Sequence, residues 1–163
     1  MKAVFRCLFI VLLSLFADAA ENALIPGQVI ADFSLPSALH GRGQRLAEQK
    51  GRRVMLIRTG HCNQCDELLA TYQLLAESHA HDGLVSWVIW TPHGRDQPPQ
   101  LRIPVLADDA RWHTGWQFEP LPAVMLISPD GVLDYLFTGN LKRNYPETEQ
   151  TLLRWMRQAE PRL

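Results

Sequence analysis

The sequence predicts an α/β domain built on a central mixed β-sheet flanked by helices. Three observations carry that prediction. An apolar run of buried-strand type at 54–58, a helical stripe at 66–79 and a β-branched, aromatic run at 84–90 follow one another. Strand, helix and strand in that order imply a parallel pair joined by a crossover helix. Further on, the apolar runs 123–127 and 132–138 are separated by Pro129, Asp130 and Gly131. That turn chemistry folds them into a hairpin, so the sheet must also hold antiparallel strands.

The elements can be justified in chain order. Residues 1–19 read as a secretory signal: Lys2 and Arg6 precede an apolar stretch at 7–16, and Ala17, Asp18 and Ala19 supply a small-residue cleavage site. The stretch is shorter than the about 20 residues that span a bilayer, although an uncleaved anchor is the alternative. Cys7 lies early in it, which argues against lipid attachment there. Weak alternation at 27–36 suits a short strand, and residues 40–43 form a tight turn around Gly41 and Gly43. In the stretch 66–79, Leu68, Leu69, Tyr72, Leu75 and Ala76 share one helical stripe. Asp82 and Gly83 are expected to stop that helix. Four prolines between Thr91 and Pro104 predict a loop, since proline lacks a backbone donor. Residues 105–107 read as an edge strand, Asp108-Asp109 as a turn or helix start, and 111–118 as a short helix carrying Trp112 and Trp116. A final helix is expected over 146–160, with Pro146 in its first turn and Leu152, Leu153 and Met156 facing inward.

Composition narrows the function classes. Lys2, Arg6 and Asp18 lie in the signal segment, so residues 20–163 form a single expected domain with 14 basic and 16 acidic residues. That balance gives no nucleic-acid footprint. The same domain keeps two cysteines, Cys62 and Cys65, too few and too close together for a disulfide-stapled scaffold.

Those cysteines carry the chemistry. Cys62-Asn63-Gln64-Cys65 stands where the first strand of the crossover unit meets its helix. Residues three apart on a helical turn have Cα atoms roughly 5 Å apart, within the range of an unstrained disulfide. Unpaired N–H groups and the positive end of the helix dipole favour a thiolate at the first of them. Cys62 is therefore the expected attacking thiolate and Cys65, one turn deeper, the resolving thiol. His61, when protonated, would depress the Cys62 pKa further.

With these motifs the chain resembles the thioredoxin superfamily, and within it the exported branch of TlpA-type and cytochrome c maturation reductases. The resemblance runs over residues 27–156. It rests on the Cys-x-x-Cys placement, on Leu121-Pro122-Ala123 leading into a strand, on Ser128-Pro129-Asp130-Gly131, and on Ala31-Asp32-Phe33-Ser34-Leu35 near the start. It implies a thioredoxin-like fold with an N-terminal strand extension. It also implies a cis bond at Pro122 beside the cysteines, with Leu121 offering its backbone to a partner chain. The chain departs from the family pattern at several positions. His61 stands where an aromatic residue is usual, and Leu56 where thioredoxin keeps a buried acid. Arg58 stands where many relatives have tryptophan.

The expected activity is exported thiol–disulfide exchange with protein partners, more as a reductant than an oxidant. Such a reductant draws electrons from a membrane thiol donor, and by resemblance an apocytochrome c is a candidate substrate. The expected location is the periplasm or another exported compartment. No cofactor or resident metal is expected. The competing reading is a copper- or zinc-binding protein or metallochaperone using the same thiolates. A closed structural zinc site, however, needs four ligands, and no second cysteine pair accompanies this one. A peroxidase is a third reading, but Thr59-Gly60-His61-Cys62 lacks the threonine, proline and arginine pattern of those enzymes.

Overall fold

Strand β3, Val54–Thr59, forms the middle of the sheet because it is apolar on both faces: Val54, Met55, Leu56 and Ile57 are all buried. The computed structural model describes residues 24–60, 65–109, 114, 116 and 122–158. The expected signal segment, His61, Cys62, Leu121 and most of the helix expected over 111–118 lie outside them.

Five strands line up in the order β5-β4-β3-β6-β7. Beside β3 are β4, Val85–Trp90, and β6, Ala123–Ile127; outside these are β5, Val105–Ala107, and β7, Leu133–Thr138. β3 runs parallel to β4 and β4 parallel to β5, whereas β6 runs antiparallel to both β3 and β7. This is the mixed sheet that the crossover unit and the hairpin predict, and the fold is thioredoxin-like.

One face of the sheet carries two helices, α1 at Cys65–Ser78 and α2 at Leu141–Arg157. Met55, Ile57, Val124 and Leu126 meet Leu69, Tyr72 and Leu75 of α1 and Leu152 and Trp155 of α2 there. The opposite face buries Leu56, Trp87, Ile89 and Met125 against Phe33, Leu35, Leu46 and Trp116. The N-terminal segment covers this second face from edge to edge. Val29 bridges to Val132 at the β7 side, while Ala38 N–H donates to Val105 and Ala107 N–H to Pro36 at the β5 edge. The outer strand β5 is thereby paired rather than left open.

Three boundaries differ from the sequence reading. The strand expected over 27–36 shrinks to β1, Ser34–Leu35, paired antiparallel with β2, Gln44–Arg45. Helix α1 ends at Ser78, and a separate 3₁₀ turn at Ala80–Asp82 leads to Gly83 in the left-handed region at φ 88°. Helix α2 begins five residues before Pro146, because Asn140 caps it by accepting the Arg143 N–H at 3.0 Å. Pro146 therefore sits inside the helix. Nearby, the Thr148 hydroxyl bonds the Asn144 carbonyl at 2.9 Å.

Candidate active site

β3 delivers its C-terminal end to the start of α1. Thr59 is buried, Gly60 follows, and the helix opens at Cys65. Thr71, Tyr72 and the other residues of the helix continue for 14 residues, long enough to present a positive N-terminal end. Cys65, the expected resolving thiol, is the first residue of the helix, whereas the sequence reading places it one turn deeper with Cys62 at the start. Cys62 and His61 lie outside the described residues.

Pro122 is brought to the same end of the sheet. It directly precedes β6, where Ala123 is the antiparallel register partner of Arg58. One step further along that register places Pro122 beside Thr59, three residues before Cys62. The prolyl carbonyl accepts the Gly139 N–H at 2.8 Å, tying Pro122 to the end of β7 as well. On the other side of β3, Thr91 N–H donates to the Thr59 carbonyl at 2.9 Å. The strand that leads into the cysteine motif is therefore fixed on both sides, with half-buried Pro122 as one neighbour.

The sequence reading missed the polar cluster beneath this end. Arg58 Nη1 lies 2.9 Å from Asp108 Oδ2, with the two side chains 11% and 2% exposed. Thr114 closes a triangle with them. Its hydroxyl accepts from Arg58 at 2.6 Å and donates to Asp108 Oδ2 at 2.8 Å, while its N–H donates to Asp108 Oδ1 at 3.2 Å. Burial pushes the Arg58 guanidinium below its ordinary value, and the adjacent Asp108 carboxylate works against that shift. Asp108 follows directly on β5, with no turn at 108 or 109, and its main partner lies on the central strand. The signal that pointed to it was Arg58 itself, a charge inside a buried-strand run. Such a residue requires a buried counter-charge.

Trp116 packs edge-on against Phe33, with ring centroids 5.0 Å apart, and is a core residue of the second face. Its N–H approaches the Thr114 hydroxyl at 3.4 Å.

No protein-family model matches the chain, and no curated protein matches its sequence. Solved structures do match its fold. A putative thiol:disulfide interchange protein DsbE from Chlorobium tepidum superposes with a TM-score of 0.66 at 18% identity, covering 82% of this chain and 99% of that one. The pneumococcal exposed lipoprotein thioredoxin from Streptococcus pneumoniae gives 0.59 at 21% identity over 74% and 99% of the two chains. Peroxidoxin BcpB from Mycobacterium tuberculosis gives 0.63 at 19% identity over 82% and 98%. At these identities the likeness establishes the thioredoxin-like architecture, which thiol–disulfide and peroxide enzymes share.

Proposed function

We propose that this protein is an exported thiol–disulfide oxidoreductase that acts on protein disulfides through Cys62 and Cys65, working as a reductant. The observation that carries the reading is the helix start at Cys65, six residues after β3 ends at Thr59 beside Pro122, in a thioredoxin-like fold. The Cys62 thiolate attacks one sulfur of a partner's disulfide, forming a mixed disulfide and expelling the partner's other sulfur as a thiolate. Cys65, once deprotonated, attacks Cys62 Sγ and releases the partner as a dithiol. Two electrons have then passed to the partner, and Cys62–Cys65 is left oxidised. In an oxidising compartment the pair must be recharged by a membrane thiol donor. His61 tunes the Cys62 thiolate, and Leu121 and Pro122 offer backbone to the incoming chain. Partners are exported proteins with wrongly oxidised cysteine pairs, with an apocytochrome c as a candidate.

Solved structures of the same fold include thiol:disulfide interchange proteins and a peroxidoxin. The pair of cysteines three positions apart favours the first chemistry, since a peroxidatic cysteine works without a resolving thiol in that place. A redox titration of residues 20–163 in glutathione or dithiothreitol buffers tests the reading. A midpoint near thioredoxin's, about −270 mV, supports a reductant, whereas one near −120 mV reverses the direction of electron flow. Absence of a reversible two-electron couple, with stoichiometric copper or zinc retained instead, overturns the reading in favour of metal binding.

A further inference from the structure

Burying an arginine and an aspartate together is costly, and an apolar pair of similar volume packs as well or better. The Arg58–Asp108–Thr114 triangle therefore calls for a reason beyond stability, and its place in the fold supplies one. Arg58 is tied in three directions. Its backbone is in register with Ala123, the residue after Pro122. It precedes Cys62 by four residues. Its side chain crosses toward the end of β5 to reach Asp108 at 2.9 Å and Thr114 at 2.6 Å.

Asp108 Oδ1 accepts the Thr114 N–H, and Oδ2 takes both the Thr114 hydroxyl and the Arg58 guanidinium. These contacts engage both oxygens of the Asp108 carboxylate. What the triangle fixes is geometry. The Thr114 hydroxyl is held by Arg58 of the central strand, its N–H is held by Asp108 at the end of β5, and Trp116, two residues on, is seated on Phe33. Arg58 itself is in register with Ala123, so the residue that anchors the triangle also borders the strand that begins just after Pro122.

We propose that Arg58, Asp108 and Thr114 are positioning residues that hold the end of β3 in place against Pro122, and so determine how well an extended polypeptide docks at this end of the sheet. The proposal rests on the oxidoreductase reading above. It assigns the cluster to exchange with polypeptide disulfides, whose extended chain needs a fixed strand end to dock against. Small disulfides, which need only a reachable sulfur, do not depend on it.

The test compares reduction of insulin, a polypeptide disulfide, with reduction of oxidised glutathione by the reduced protein. In the Arg58→Met/Asp108→Leu double variant the pair is exchanged for apolar groups, so neither charge is left buried alone. Insulin reduction should fall about tenfold, the scale expected for displaced docking groups, while the glutathione rate stays within about twofold. Thr114→Val removes only the hydroxyl and keeps the ion pair, which covers the case in which the double variant does not fold. It should lower the insulin rate selectively by about threefold, the worth of a part of one hydrogen bond. Parallel loss on both substrates, or no loss on either, overturns the positioning role. A wild-type protein no more active than Cys62→Ser on both substrates would instead overturn the oxidoreductase reading on which it rests.

Discussion

The hydroxyl of Tyr72, in the middle of α1, donates to the Leu141 carbonyl at the first residue of α2 across 3.1 Å of buried space. This bond joins the helix that begins at the cysteine motif to the helix that closes the chain. Tyr72 has no solvent-accessible surface, and its ring meets Tyr145 edge-on at 5.3 Å. The two helices are thus fixed to each other as well as to the sheet. The position of the Cys65 helix start depends on this packing more than on the intrinsic preference of a 14-residue helix.

Tyr72→Phe keeps the ring and removes that bond. The expected cost is about 1 kcal/mol, read as a lower urea midpoint with an unchanged m-value. A pH dependence accompanies it. Burial first, together with the nearby Tyr145, raises the Tyr72 phenol above its ordinary value. A group whose folded pKa is raised stabilises fully below its unfolded pKa, and the contribution is lost as pH rises through the folded one. Wild-type stability should therefore decline above the ordinary tyrosine range, near pH 10, and Tyr72→Phe should decline less steeply. Equal alkaline slopes would remove Tyr72 from that account.

The cysteines are distinguishable by trapping. If Cys62 attacks and Cys65 resolves, Cys65→Ser should accumulate a mixed disulfide with a polypeptide substrate, visible as a covalent adduct by mass spectrometry without reductant. Cys62→Ser should form almost none. The reverse pattern would exchange the two roles.

Asp32 tests how the N-terminal segment is held over the second face. Its Oδ1 accepts the Ala47 N–H at 2.8 Å, and its Oδ2 meets Arg45 at 2.7 Å. Its limited burial opposes ionisation, but the Ala47 N–H and the Arg45 guanidinium outweigh it and hold the carboxyl below its ordinary value. A depressed carboxyl contributes stability above its unfolded pKa and loses it as pH falls through the folded one. Asp32→Asn should therefore be less stable than wild type at pH 7. The difference should close below about pH 4, the ordinary carboxylate value, as both proteins are acidified. A gap that stays constant down to pH 2 would place the effect elsewhere. The carboxylate is partly exposed, so the neutral-pH difference is expected to be small.

Legibility in the sequence followed the range of the forces involved. The five main strands could be read because each is rich in apolar or β-branched residues, most completely at Ala123–Ile127, where every residue is buried, and least at Leu133–Thr138, where only Leu133 is. Asp108 was read from its local chain as a turn or helix start. Its counter-ion is fifty residues earlier on the central strand, and pairing of that kind is settled by the assembled sheet. The start of α2 was misplaced for a different reason. Proline is at home in a first turn, so the expected start follows Pro146, whereas the structure starts the helix at the Asn140 cap. The short β1–β2 pair was set by tertiary contact, with Gly43 so close to Leu35 that a Cβ there would lie 2.6 Å from its carbonyl oxygen.

The ion pair between Arg58 and Asp108 makes a prediction about stability that is separate from its role in docking. Removing one partner leaves the other charge buried without compensation, so Arg58→Met or Asp108→Leu alone should each cost about 3–5 kcal/mol. Removing both exchanges the charges for packed apolar groups, which is close to neutral for such sites. The double variant should therefore be more stable than either single one, and the double-mutant cycle should return a coupling energy well above the about 0.5 kcal/mol expected of independent sites. Urea denaturation of the four proteins measures it. Additive losses would mean that each side chain is satisfied without the other, and that the 2.9 Å contact is incidental to the fold.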